Sequence, residues 1–297
     1  FYFRRILKIW PLYFLIILMA FFILPYITFF TLPKLGIESV HESLLVKLTL
    51  YLFFLPNVAH YFFSIIPYAS QAWSIGTEEQ FYLVWPWIFR RSKKWMSRLL
   101  IITGVVLGYL FIQYFLAFSV SDFIPYKGYI TLIWSVLRID CMAIGALFAF
   151  LLHTDRFLKY ILNTWLFYIV LAGTCLLMIN AVSIKGINYQ AYAILFGIII
   201  LNFAANDKIK ISLENKILNY LGKISYGLYM YHLIAVVFCL KMITYLHLPN
   251  TNWIIYPSVF ILTIAISSFS YTFFESKFLS LKNKYTVIPN NHNKTTK

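Results

Sequence analysis

Glu78 and Glu79 stand side by side in QAWSIGTEEQFYLVWP, residues 71–86. Carboxylates are scarce in this chain, with 10 acidic residues among 297 and 61% hydrophobic content. An ionisable side chain among apolar residues is costly, and inside a membrane it marks a site or a pathway. Neighbouring helical residues point about 100° apart, so the two carboxylates cannot share a face. One would face a cavity while the other reaches an interface or a basic partner. In that setting a carboxylate can orient an acceptor or tune a histidine, and two of them in low dielectric push at least one pKa upward. The competing reading is structural. Thr77 would be an N-cap, and the Glu pair would sit at the positive end of a helix dipole.

Arg138 lies well inside the apolar stretch TLIWSVLRIDCMAIGALFAF. A guanidinium there must be paired or line water. Asp140 is two residues away, on a diverging face of the same helix, so the expected partner is Glu78 or Glu79 from another helix. The pair would bind an anionic or carbonyl group, or set helix packing. Ser225, Tyr229 and His232 recur at i, i+4 and i+7, one stripe of a helix. A hydroxyl, a phenol and an imidazole so arranged line a polar cavity or relay a proton, unless His232 is simply buried and hydrogen-bonded to a neighbour. Glu275, in YTFFE, is read as a structural partner of Lys277 or of loop arginines. The remaining histidines lack metal-ligand spacing. Cys141, Cys175 and Cys239 sit inside apolar blocks without a CxxC pair, so neither disulfides nor a metal site is expected.

These residues must be carried by membrane helices. Apolar blocks cover 10–31, 44–56, 73–90, 98–119, 131–152, 161–181, 189–205, 224–243 and 254–274. A span takes about 20 residues, so 44–56 is too short and reads as re-entrant or interfacial. The expected fold is an all-α polytopic bundle of about eight spans plus that segment. Continuous rather than alternating apolarity argues against a β-barrel. The net charge of +15 does not indicate nucleic acid, because Lys and Arg punctuate the loops. They gather at 4–8, 90–98, 156–159, 208–223 and 277–297, whereas the other side of the threading holds Lys34, Lys47, Lys127 and Lys185. The positive-inside rule then makes both chain ends cytoplasmic and 32–76 external. Aromatic residues at block ends read as interfacial belts, and Gly104-x-x-x-Gly108 reads as a close helix contact. Residues 1–281 form the membrane domain and 282–297 a polar, disordered tail. No internal repeat is visible, which weakens a transporter built from inverted halves.

Several stretches in order resemble the acyltransferase 3 family. FYFRRILKIWPLY is similar to its basic first station through Arg4, Arg5 and Pro11. WSIGTEEQFYLVWP resembles its central signature through Trp73, Ser74, Glu78, Phe81 and Tyr82. RIDCMAIGAL matches through Arg138 and Gly145, and LGKISYGLYMYHL through Ser225, Tyr226, Tyr229 and His232. FFESKF resembles its terminal acidic motif at Glu275, without the usual following Pro. The resemblance implies a bacterial inner-membrane O-acyltransferase of the O-antigen or polysaccharide type. Its co-substrate would be acyl-CoA, acetyl-CoA first, donated from the cytoplasm. Its acceptor would be a sugar hydroxyl of a surface or lipid-linked glycan. Membrane lipids are the other partners, with no bound cofactor, metal or nucleic acid. Glu78 and His232 would be catalytic. Trp73, Glu79, Arg138, Ser225 and Tyr229 would bind substrate, and Arg4 and Arg5 would contact donor phosphates. The family pattern begins with two further spans, the first carrying an Arg and the His taken as catalytic base. Neither is in this sequence, so the chain reads as the C-terminal four-fifths of a member, with its own activity left open. The alternatives are a glycan or lipid transporter or flippase, and a non-catalytic membrane protein.

Overall fold

The computed structural model describes residues 1–32, 37–118, 127–155, 157–184 and 186–284, and among these only helices, turns and loops occur. In chain order the first helices are α1 (Tyr2–Phe22), α2 (Ile37–His41), α3 (Leu44–Leu52), α4 (Pro56–Phe62) and α5 (Ala72–Arg91). Then come α6 (Trp95–Phe118), α7 (Lys127–Leu137), α8 (Ile139–Thr154), α9 (Leu158–Ile161), α10 (Thr164–Ile179) and α11 (Asn188–Ala205). The chain closes with α12 (Lys216–Tyr245), α13 (Asn252–Ser270), a π turn at Tyr271–Glu275 and α14 (Ser276–Lys284).

Six runs are long and apolar enough to cross a membrane: Tyr2–Tyr26, Trp95–Phe118, Lys127–Thr154, Asn188–Ala205, Lys216–Tyr245 and Asn252–Leu281. The protein is a multi-pass, all-α membrane protein. Of the eight spans expected, the other two fall short for different reasons. α10 is apolar but has 16 residues. α5 has 20, but Glu78, Glu79, Arg90 and Arg91 dilute its apolarity. α3 and α4, with 9 and 7 residues, are too short to cross, in keeping with a non-crossing 44–56 segment.

The chain packs as two units, Phe1–Gly76 with Tyr220–Lys297, and Thr77–Asn219. In the first, α1 buries Ile9, Leu12, Tyr13, Ile16, Ile17, Ala20 and Phe21, the i, i+3, i+4, i+7 stripe of an amphipathic helix. Its opposite face leaves Leu18 and Phe22 exposed, as suits a lipid-facing surface. The Tyr13 ring stacks on Phe54 at 4.5 Å, and its hydroxyl donates to the Tyr51 carbonyl at 2.8 Å. In the second unit α8 packs between α6 and α11, and α10 packs on α11. Ile102, Ala143 and Phe150 form its core, covered by Trp85, Phe89, Trp95 and Leu99. Asn163 caps α10, accepting from the backbone N–H of Trp165 and Leu166.

Three expectations change. Gly104 and Gly108 face open space, with nothing within 4 Å of a Cβ added at either. The buried stripe of α6 is Ile102, Tyr109 and Leu116, and at about 100° per residue the glycines fall off it. Close approach occurs instead at Gly197, where a Cβ would lie 2.2 Å from the Phe148 ring. The polar tail begins as helix, because α14 continues to Lys284. The disorder expected beyond it, and the loop cations Lys34, Arg156, Lys185, Lys294 and Lys297, lie outside the described residues. Finally, Lys47 is not a free loop cation. Its side chain is fully buried and donates to the Ser39 carbonyl at 2.5 Å and to Ser64 Oγ at 2.7 Å, with Glu42 at 3.8 Å. It pins α3 to the segments on either side.

Burial holds the Lys47 ammonium below the usual 10.5, outweighing Glu42, which raises it. The unfolded chain therefore keeps this proton to higher pH than the folded one. Folding stability gains as pH rises from the lowered value toward 10.5. Melting temperatures of wild type and Lys47→Met, measured in detergent across that alkaline window, should diverge in favour of wild type; parallel curves would contradict the assignment.

Candidate active site

α5 begins at Ala72, so Thr77 lies inside the helix rather than at its N-cap. Turn bonds from Ala69 to Ile66, Ala72 to Ala69 and Trp73 to Ser70 lead into the helix and set this early start. The Thr77 hydroxyl, buried, donates to the Val136 carbonyl at 3.2 Å. Glu78 and Glu79 are thus beyond the first turn, where the helix-dipole effect fades. Both are half-buried, and Tyr82 Oη, one turn on, donates to Glu78 Oε2 at 3.4 Å. Gly76 makes room for the loop before α4. A Cβ there would meet Pro56 Cδ at 2.7 Å and the Phe54 carbonyl oxygen at 3.0 Å.

Within the first unit, the head of α5 is bonded to α12. Gln71 is buried, and its Nε2 donates to the carbonyls of Tyr68 (3.0 Å) and Met230 (2.7 Å). Tyr229 Oη donates to the Gln71 carbonyl at 2.8 Å. Ser74 Oγ, 2.5 Å from Tyr229 Oη and 3.3 Å from the same carbonyl, completes the cluster. Trp73 is half-buried in the same first turn. His232 Nδ1 is 2.5 Å from the Tyr229 carbonyl oxygen. A carbonyl only accepts, so Nδ1 carries the proton and Nε2 carries the lone pair. The Tyr229 and His232 rings lie 5.7 Å apart. Ser225, third of the predicted stripe, is exposed and bonds back to Gly222 of its own helix at 3.0 Å. Gln71 was missed by sequence reasoning, although a lone amide heading the central motif among apolar residues was a usable signal.

Two more tyrosines fix α12. Tyr226 Oη donates to the Ile9 carbonyl of α1 at 2.9 Å. Tyr231 Oη donates to Ser270 Oγ at 3.0 Å, which donates to Glu275 Oε1 at 3.1 Å. Glu275 is buried in the π turn beside Gly227, and its partner is Ser270 rather than a cation. Arg4 and Arg5 stand at the start of α1, Arg4 exposed and Arg5 5.6 Å from the Phe1 ring.

In the second unit Arg138 is the break between α7 and α8, in the left-handed region at φ 37°, ψ 31°. Such backbone is strained for a residue with a Cβ and gathers at functional positions. The break releases carbonyls that hydroxyls recapture, Trp134 by Tyr109 Oη at 2.8 Å and Val136 by Thr77. The guanidinium lies 3.8 Å from the Tyr189 ring of α11. That aromatic face, on another helix, attracts a cation through its quadrupole. Asp140, fully buried, accepts from Gln190 Nε2 at 2.6 Å, a pair that sequence reasoning missed because the two residues are 50 positions apart.

A family model described as an acyltransferase domain, Acyl_transf_3, matches residues 1–272. The chain belongs to the acyltransferase 3 family. No curated protein and no solved structure matches it. The match contains every site residue named above except Glu275.

This membrane acyltransferase thus holds an imidazole with a free Nε2, a bonded phenol–serine pair and a guanidinium on a strained turn. Among its described residues no group of three or more His, Cys, Asp or Glu is arranged to hold a metal. Gly76→Ala should cost about 1–3 kcal/mol, since the Phe54 carbonyl is backbone and cannot swing aside. A lower melting temperature in detergent would show it. Tyr229→Phe should cost about 1–2 kcal/mol through the lost Gln71 and Ser74 bonds, and an unchanged melting temperature would refute that coupling.

Proposed function

We propose that the protein transfers an acyl group, acetyl in the simplest case, from acyl-CoA to a sugar hydroxyl of a surface or lipid-linked glycan. The observation that carries this reading is the acyltransferase match over residues 1–272. His232, with its lone pair free on Nε2, supports it. In this reading the acceptor hydroxyl gives its proton to an imidazole as its oxygen attacks the thioester carbonyl. The C–S bond then breaks, and the departing CoA thiolate takes up a proton. His232 is the imidazole this chain supplies. Glu78 orients the acceptor, and Arg138 faces carbonyl oxygen or anionic charge. Trp73, Glu79, Ser225 and Tyr229 contact substrate, and Arg4 and Arg5 meet donor phosphates. We place the protein in a bacterial inner membrane, as the family resemblance implies, and the loop cations support an orientation with both ends of the chain cytoplasmic.

The test is transfer of labelled acetyl from acetyl-CoA to membrane glycan, by this chain and by a form extended upstream through the two implied spans. In whichever form transfers label, Glu78→Gln should abolish transfer, and His232→Gln should lower it by about 100-fold or more at equal protein level. Transfer unaffected by both changes would remove these roles. Substrate flux without acyl-CoA consumption would replace the reading with transport.

A further inference from the structure

Near the C-terminal end of α12 is an open pocket of about 500 Å³, lined by Phe29, Leu32, Val237, Leu240, Lys241, Thr244 and Tyr245. All belong to the first unit. The volume is within the range of small-molecule sites, about 300–1,000 Å³. One wall is hydrocarbon and aromatic, closed by the Phe29 and Phe238 rings at 5.4 Å. The other wall carries the Lys241 ammonium and, one helical turn on, the Thr244 hydroxyl and the Tyr245 phenol. Lys241 lies within the span Lys216–Tyr245. Among the described residues no acid or hydrogen-bond partner serves it. An intramembrane ammonium without a protein counter-ion calls for an anion from elsewhere.

The depth limits what that anion is. Lys241 is four residues from the end of α12, about 6 Å along the axis at 1.5 Å per residue. A lysine stem that long reaches the headgroup layer while its methylenes stay on apolar surface. Phosphate is the anion present at that level, and it arrives attached to hydrocarbon that fits the apolar wall. We propose that this pocket binds an anionic lipid, its phosphate on Lys241 with the Tyr245 hydroxyl as a further donor, and its chain against Phe29, Leu32, Val237 and Leu240. A zwitterionic lipid offers the same phosphate but brings a cation of its own, so the site should prefer net negative headgroups. The inference stands whether or not the chain proves to transfer acyl groups.

Native mass spectrometry of the purified full chain tests this with phosphatidylglycerol and phosphatidylcholine of equal chain length. Wild type should retain phosphatidylglycerol about fivefold better, the scale of one Lys near anionic lipid. Lys241→Gln should erase that preference, Lys241→Arg should keep it, and Leu240→Trp should weaken both lipids by filling the pocket. Lys223→Gln, at an exposed position two turns into α12, should change nothing. Equal retention of the two lipids by wild type, or an undiminished preference in Lys241→Gln, overturns the proposal. Displacement of phosphatidylglycerol by millimolar inorganic phosphate also overturns it, by showing a bare anion site rather than a lipid site.

Discussion

Hydrocarbon offers no partner to a backbone carbonyl or N–H, so every interruption of a membrane helix must be closed from within the protein. Much of the polar inventory of this chain follows from that constraint. The left-handed Arg138 interrupts the run Lys127–Thr154, and the hydroxyls of Tyr109 and Thr77 take up carbonyls near the break. The π turn at Tyr271–Glu275 interrupts the last span, and Ser270, Tyr231 and Glu275 close a buried chain of bonds beside it. Residues that look like candidates for chemistry therefore divide by task. Thr77, Tyr109 and Ser270 serve the backbone or its neighbours. Arg138 and His232 keep functional atoms that the backbone does not consume.

The same constraint explains what was legible in advance. Apolar blocks announce membrane helices because spanning length and composition are local properties, and the positions of the long helices follow them. The central motif was readable as a place, but its helical register was not. α5 begins five residues before Thr77, on turn bonds formed by Ile66, Ala69 and Ser70, and of these only Ser70 is of a type that marks a helix start. Arg138 was visible as a misplaced charge. Its break was not, because nothing in RIDCM marks a left-handed residue where Gly or Asn is absent. Gln71 with Met230, and Asp140 with Gln190, are 159 and 50 positions apart, and only the folded chain brings them together. Lys47 misled for a related reason. It stands in the apolar block 44–56, and the groups that enclose its ammonium, Ser39 and Ser64, are 8 and 17 positions away.

Three tyrosines on α12 show how helical geometry organises the candidate site. At about 100° per residue, Tyr226 and Tyr229 lie about 60° apart on one face and Tyr231 points well away from both, and they meet α1, the head of α5 and α13 in turn. A helix tied at three points on two faces has little freedom to rotate. His232 rides on that helix, and its Nδ1 proton is bound to the carbonyl of Tyr229, three residues back on the same helix. Its tautomer is therefore set by a local bond that needs no distant partner and no substrate. Preorganisation of this kind lowers the cost of placing a proton acceptor before the acceptor hydroxyl arrives. Arg138 reaches its position by the opposite route, through a strained backbone steadied by the Tyr189 face. A base held by local bonds and a cation held by strain would respond differently to substrate. The first would keep its geometry, while the second has a relaxed conformation available to it.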